Sequence, residues 1–298
     1  MCGIAGIFFK KPDGNLVLGK ALVDMLDGCQ HRGPDSTGFA LYEDGIEGLR
    51  LRFFVDPGDE EAPARIRATL KNEGARIESE KREGETFVVD AEYAGEVRPF
   101  AYAMEHAAKL VSIGSKLDIV KDVGSARRLD RLYHVGAVSG SHGIGHVRLA
   151  TESDVKPEAA HPFWATGFAD VAIVHNGQIT NYWKMRRRLE ARGFEFRTDN
   201  DSELIAVYIA DKLSQGVKLE DALAESVDDL DGTFSFLIST KDGIGFAKDR
   251  LAAKPMVMYE DDTLVAIASE EVSLNRLFPG RALPTTEPAP GTHQTWSH

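Results

Sequence analysis

The sequence predicts an α+β protein, and two observations carry that reading. Apolar, strand-like segments outnumber helical ones, and they come in runs and not in strict alternation with helices. Layers of sheet and helix fit that order better than a doubly wound parallel sheet does. No internal repeat or low-complexity tract points to a solenoid or a linker.

Residues 1–9, small and apolar up to Phe8 and Phe9, read as a buried strand. Pro12-Asp13-Gly14 is a turn signal. Leu18, Leu22, Leu26 and Cys29 recur at helical spacing, which predicts an amphipathic helix over 16–29 with Cys29 on its core face. Polar residues 31–35 break that pattern before an apolar run over 38–42. The texture then changes from about 48 to 135. Strands are predicted at 48–55, 76–81, 86–93 and 116–123, with helices at 62–74 and 99–112. This β-α-β-β-α-β order predicts a small, self-contained α/β subdomain inserted into the larger fold. Beyond it, strands are predicted at 145–149, 171–175, 234–239, 244–248, 256–259 and 264–268. Helices over 181–192, 201–215 and 219–230 end at or near Gly193, Gly216 and Gly232, the usual stop residue.

At 298 residues, with 43% hydrophobic and 28% charged, the chain can bury a large core unaided. Its formal net charge of −12 is opposite in sign to a phosphate-backbone binder, so no nucleic-acid partner is expected. No apolar run is long enough to span a membrane, and residues 1–9 lack the charge and length of a signal peptide. Two cysteines, Cys2 and Cys29, make no disulfide framework, so a cytoplasmic location is expected.

Cys2 is the most informative residue because of its position. Removal of Met1 leaves its thiol beside a free α-amine, whose ordinary pKa of about 7.7–8.0 suits a general base. One residue then supplies nucleophile and base. Arg148 ends the apolar stretch Gly145-His146-Val147-Arg148, where a guanidinium can clamp a carboxylate in bidentate fashion. His175-Asn176-Gly177 reads first as a tight turn, and its amide and backbone N–H are also good donors to an oxyanion. In Asp199-Asn200-Asp201-Ser202-Glu203 an acidic residue is expected to cap the following helix. His142 and His146 have a helical metal-ligand spacing, but the glycines around them disfavour a helix, so no metal is expected. The Arg186-Arg187-Arg188 run, with Arg192 and Arg197, reads as a solvated helix face, or else as a surface for an acidic partner.

Together these segments resemble the class II glutamine amidotransferases, which are N-terminal-nucleophile hydrolases. The matching residues are Met1-Cys2-Gly3-Ile4 with Gly6, Arg32-Gly33-Pro34-Asp35, Gly145-His146-Val147-Arg148, His175-Asn176-Gly177 with Asn181, and Asp201-Ser202-Glu203. Weaker agreement continues through Gly232-Thr233-Phe234, Asp249-Arg250 with Lys254-Pro255, and Ala268-Ser269-Glu270. The resemblance covers about 1–47 and 136–291.

The resemblance implies a four-layer αββα sandwich over 1–291, interrupted by the insertion at about 48–135 and followed by a short tail at 292–298. It implies Cys2 as nucleophile, Asn176 and the Gly177 backbone as oxyanion hole, Arg148 for the α-carboxylate of L-glutamine and Asp201 for its α-ammonium. Arg32 and Thr151 are grouped with the substrate contacts, and Arg32 also resembles an arginine that supports the nucleophile's strand. The chain departs from the family at Leu149, where many members carry an aromatic residue, and at Glu152-Ser153, where some carry His-Gly.

The long insertion, the stop soon after the hydrolase domain and the stretch Arg148-Leu149-Ala150-Thr151-Glu152-Ser153 resemble the amidotransferase component of glutamate-synthase-like complexes, most of all that of N-methylglutamate synthase. That resemblance implies a hetero-oligomer whose partner subunits are an FMN-binding synthase and a Gly-rich β-helical chain, with no cofactor on this chain. Two other readings keep the same fold: a catalytically quiet subunit, suggested by Leu149 and Glu152, and a hydrolase of other γ-glutamyl compounds.

Overall fold

The strand expected at the start of the chain forms as β1 (Gly3–Phe9), apolar along its whole length because both of its faces are covered. The computed structural model describes residues 2–11, 16–150 and 155–298, so the Pro12-Asp13-Gly14 turn lies outside the described residues. After β1 come α1 (Leu18–Gly28), β2 (Ser36–Tyr42), β3 (Leu49–Phe54), α2 (Ala62–Asn72) and β4 (Arg76–Glu83). β5 (Thr86–Glu92), α3 (Val97–Ala107), β6 (Leu110–Gly114), β7 (Leu117–Val123), α4 (Ala126–Tyr133) and β8 (His142–Arg148) follow. β9 (Phe163–Trp164) and β10 (Ala172–Ile179) precede three helices, α5 (Tyr182–Glu190), α6 (Asp201–Ser214) and α7 (Leu219–Asp229). The chain ends with β11 (Gly232–Thr240), β12 (Gly243–Lys248), β13 (Val257–Glu260), β14 (Leu264–Ala268), α8 (Glu271–Asn275) and β15 (His293–Ser297).

Two antiparallel sheets form the centre: β13-β14-β1-β8-β2-β7 and β15-β12-β11-β10-β9. Strand alternation assigns their faces. Ile4 and Phe8 of β1 meet Val174, Leu237 and Ile244 of the other sheet. Ala5, Ile7 and Phe9 point the opposite way, into Leu22, Leu26, Leu129 and Leu274 of α1, α4 and α8. Across the second sheet, Ile173, Phe236 and Ala247 pack on Leu189, Leu204 and Leu223 of α5, α6 and α7. The result is the four-layer αββα sandwich.

Four expectations need correction. The strand over 116–123 forms as β7, but it pairs with β2 in the large sheet and not with the insertion. The insertion's last strand is β6, within the segment read as the end of a helix over 99–112. Helix α3 stops at Ala107, where Ala108 turns extended and the Glu105 carboxylate takes the Leu110 N–H at 2.8 Å. β4-β5-β3-β6 with α2 and α3 is a split βαβ arrangement over 49–114, and α4 belongs to the helix layer on the large sheet. Nor is the insertion self-contained, because Leu51, Phe53, Phe100 and Met104 belong to one hydrophobic cluster with the inter-sheet core. Finally, residues 292–298 are not a tail. β15 closes the second sheet along β12 and buries Trp296 beside Phe246.

Charge joins the insertion to the large sheet. Arg52 of β3 is 1% exposed and donates from Nε and Nη2 to both carboxylate oxygens of Asp118 on β7, at 2.8 and 2.7 Å. Burial raises the Asp118 pKa, but the Arg52 charge and its hydrogen bonds outweigh that and hold the carboxyl below the usual range. Removing one member of such a pair strands the other charge, at about 3–5 kcal/mol. Asp118→Asn should therefore destabilise the protein by about that amount at pH 7 in urea unfolding. A carboxyl with a depressed folded-state pKa stabilises above its unfolded value, and that contribution is lost as pH falls through the folded value. The difference between the two proteins should shrink below about pH 4.

Candidate active site

β1 carries Cys2 to the end of the large sheet. Continuing its register with β8 past the Gly3–Val147 pair sets Cys2 opposite Arg148. The pleat turns both side chains toward the second sheet. Cys2 is partly exposed, and its Sγ lies 3.9 Å from the Leu149 carbonyl. Cys29 is fully buried, its thiol pKa raised by burial, and neither cysteine forms a disulfide.

The segment Arg32-Gly33-Pro34-Asp35 fixes the end of β8. Gly33 has no room for a side chain, because a Cβ would sit 2.3 Å from the Val147 carbonyl carbon. This close approach lets the Asp35 N–H donate to the Arg148 carbonyl at 3.1 Å, while Asp35 Oδ2 accepts the Ala150 N–H at 2.7 Å. Arg32 Nε donates to the Cys2 carbonyl at 3.0 Å, and its Nη1 pairs with Glu270, which also meets His31. Its guanidinium holds the nucleophile's backbone and Glu270, contacts that fit the supporting role the resemblance also implies.

His175-Asn176-Gly177 does not turn. The three residues continue β10, opposite Phe236, Ser235 and Phe234 of β11. Asn176 Nδ2 donates to the Cys2 carbonyl at 3.2 Å, so the amide is held against the backbone of Cys2. Gly177 has φ +151°, and a Cβ there would lie 2.1 Å from the Thr233 carbonyl oxygen. Only glycine fits this position.

The helix α6 is capped by neither aspartate. Asn200 Oδ1 accepts the Ser202 N–H at 2.8 Å, which leaves the Asp201 side chain for other contacts. Asp201 Oδ2 accepts the Ile179 N–H at 3.0 Å, and Oδ1 lies 3.4 Å from His175 Nδ1. Burial raises its pKa, but the His175 ring and the Ile179 N–H prevail and hold it below the usual range. It keeps 22% side-chain exposure, so the ionised carboxylate is only partly covered. Thr151, Glu152 and Ser153 lie outside the described residues, as does Met1.

The structure therefore brings Cys2, Arg32, Asn176 and Gly177 together, with Arg148 across the strand from Cys2. Asp201 is tied to the far end of β10 by Ile179. Sequence reasoning gave no role to Asp35, Ser269 or Glu270. Ser269 exchanges hydrogen bonds with Ile4 through its Oγ and N–H, both at 3.0 Å. All three stand in motif segments, but only their cross-chain contacts show what they do. A groove of about 670 Å³, lined by Leu213, Leu219, Lys241 and Trp296, lies by Asp170 and Val171, at the start of β10. Among the described residues no group of three or more His, Cys, Asp or Glu side chains is placed to hold a metal ion. No described helix is long and apolar enough to cross a membrane.

An αββα sandwich with a thiol at the head of a central strand is the architecture of an N-terminal-nucleophile hydrolase. Known proteins agree. A glutamine amidotransferase domain model matches residues 146–276. A glutamine amidotransferase-type protein of Methanothermobacter thermautotrophicus is 38% identical over 93% of this chain and 94% of its own length. The glutamine amidotransferase-like protein GlxB of Rhizobium meliloti is 37% identical over 100% of this chain and 99% of its own. The glutamine phosphoribosylpyrophosphate amidotransferase of B. subtilis shares the fold, with a TM-score of 0.63 at 20% identity. The alignment covers 99% of this chain and 47% of that one, so this chain spans about half the length of the solved structure. The chain belongs to the glutamine amidotransferase family, in its class II, N-terminal-nucleophile form.

The support given to the Cys2 carbonyl has a measurable consequence. Arg32→Ala removes one of the two described donors to that carbonyl and leaves Glu270 only its His31 contact, so glutamine hydrolysis should fall at least about tenfold, with little change in the far-ultraviolet circular dichroism. Unchanged glutamate release would show that the Arg32 contact does not position Cys2.

Proposed function

We propose that this protein hydrolyses the γ-amide of L-glutamine through Cys2 and delivers the ammonia to a partner chain. The observation that carries this reading is the convergence of Arg32 and Asn176 on the Cys2 carbonyl, at 3.0 and 3.2 Å. It fixes the residue whose thiol and, after loss of Met1, α-amine do the chemistry.

In this reading the α-amine takes the thiol proton, and the sulfur attacks the γ-carbonyl carbon. Asn176 Nδ2 and the Gly177 N–H hold the resulting oxyanion. Collapse breaks the C–N bond, and the amine returns its proton to the departing ammonia. Water then cleaves the γ-glutamyl thioester, giving glutamate and the free thiol. Arg148 binds the substrate's α-carboxylate and Asp201 its α-ammonium, one fixed cation and one fixed anion for a zwitterion. Thr151 joins the substrate contacts in the same scheme.

The more specific assignment, read from the sequence motifs, is to the amidotransferase component of a glutamate-synthase-like complex, and within these to that of N-methylglutamate synthase. Its support is that this chain covers two amidotransferase-type relatives almost from end to end, at 94% and 99%. The acceptor chemistry is then assigned to partner subunits, one FMN-binding and one Gly-rich and β-helical, in a cytoplasmic hetero-oligomer.

Two measurements test this. Intact mass should show a chain that begins at Cys2, and Cys2→Ala should lower glutamine hydrolysis by at least about a thousandfold. Residual activity near that of the native protein would overturn the nucleophile assignment. Purification of the tagged protein from its native host should yield a stoichiometric flavoprotein partner, and purification alone, at native expression, would count against the complex.

A further inference from the structure

Behind Asp201 lies a buried group of imidazoles that the mechanism above does not use. Ser202 Oγ lies 2.7 Å from His161 Nε2, 3.1 Å from His175 Nδ1 and 3.5 Å from Asp201 Oδ1. His146 stacks on His161 with ring centroids 4.0 Å apart, and its Nε2 is 3.2 Å from the His175 carbonyl.

Acceptor chemistry orients this group. A carbonyl only accepts, so His146 carries its hydrogen on Nε2. An ionised carboxylate only accepts, so the His175 nitrogen beside Asp201, Nδ1, carries a hydrogen as well. Ser202 then accepts from His175, and its own hydrogen has two acceptors within reach, His161 Nε2 and Asp201 Oδ1. His175 Nε2 is buried without a hydrogen-bond partner among the described residues, so the polar contacts of this ring all go to the first turn of α6.

The charged and titratable groups shown to act on or with His175 are Asp201 on α6, His146 on β8 and His161 from the segment before β9; Arg148 and Lys121 lie beyond, beside His161. Burial pushes His146 down to about 3 and His161 well below its ordinary value, so both are neutral. Glu203 faces away, toward Thr166 and Thr198.

We propose that His175, aligned through Ser202 and His161, is a positioning residue that fixes the Asp201 carboxylate for the α-ammonium group of an amino-acid substrate. The inference rests on the role given to Asp201 above. A histidine that merely fills the core would affect every substrate alike. A positioning residue for the ammonium site would affect only substrates that carry that group.

Glutamine and glutaramate, which has the same γ-amide but no α-amine, separate the two cases. Steady-state hydrolysis by the full chain is measured for native protein, His175→Phe, His175→Asn and Ser202→Ala. Native protein should prefer glutamine. His175→Phe should raise the glutamine KM about tenfold with kcat within about twofold, and leave kcat/KM for glutaramate unchanged. His175→Asn, which keeps a donor near the Nδ1 position, should recover most of the loss, and Ser202→Ala should show the same split in smaller measure. If His175→Phe does not fold, the Asn and Ala variants carry the test. Equal losses for both substrates, or an unchanged glutamine KM, would overturn the role of His175. Native protein that hydrolyses both amides equally would instead overturn the Asp201 assignment, and native protein inactive on glutamine would overturn the glutaminase reading; either result takes this inference with it.

Discussion

The whole site hangs on a single backbone carbonyl. Cys2 lies one residue before the first paired position of β1, beyond the part of the strand that the sheet holds. Its carbonyl would otherwise face solvent with free rotation about the neighbouring bonds. Arg32, from the short 3-10 turn before β2, and Asn176, from the second sheet, reach it from different parts of the chain, and each is itself fixed, Arg32 by Glu270 and Asn176 by its place in β10. The two sheets thus meet at one atom as well as through their apolar faces. Any relative shift between them moves Asn176 with respect to the Cys2 thiol.

A second ring of buried polar groups stiffens the surroundings. Lys121 of β7 donates to the carbonyls of Glu158, Ala160 and Pro162, at 3.4, 2.8 and 3.2 Å. Burial, with help from the Arg197 charge, pushes its pKa down to about 7. Glu203 of α6 takes the Arg197 and Thr198 N–H groups and the hydroxyls of Thr166 and Thr198. These contacts hold the chain from 158 to 203 around the histidine group. Charges buried without their partners would cost several kcal/mol each, so the arrangement favours one packing over near alternatives.

Much of the fold was legible because its signals are local. β1 is a continuous apolar run, and α5, α6 and α7 show helical periodicity closed by glycine. The misread segments are those where local and tertiary signals conflict. Asn176-Gly177 has turn chemistry, yet it runs on as strand because β11 pairs with it and only glycine fits against Thr233. The stretch at 110–114 continued a helical pattern until Glu105 claimed the Leu110 N–H. β15 reads His-Gln-Thr-Trp-Ser, too polar to announce itself, and it forms because an open sheet edge accepts it. At the site, the residue types near Cys2 were visible in the motifs. The parts played by Glu270, Ser269 and Ser202 were not, because those depend on contacts between distant parts of the chain.

The insertion also bears on how such a molecule can be varied. β2 and β7 are antiparallel neighbours, and Tyr42 pairs with Leu117. Residues 43–116 are in this sense the loop of an ordinary β-hairpin that has grown into a folded unit. Its re-entry is clasped by Asp170, whose carboxylate accepts the N–H groups of Ser115, Lys116 and Leu117 at 3.0, 2.8 and 2.9 Å. The cost of closing a loop rises only slowly with its length. A graft at this hairpin can therefore lengthen or change its surface, so long as the shared core and the Arg52–Asp118 pair are kept, while the strand that presents the nucleophile keeps its neighbours.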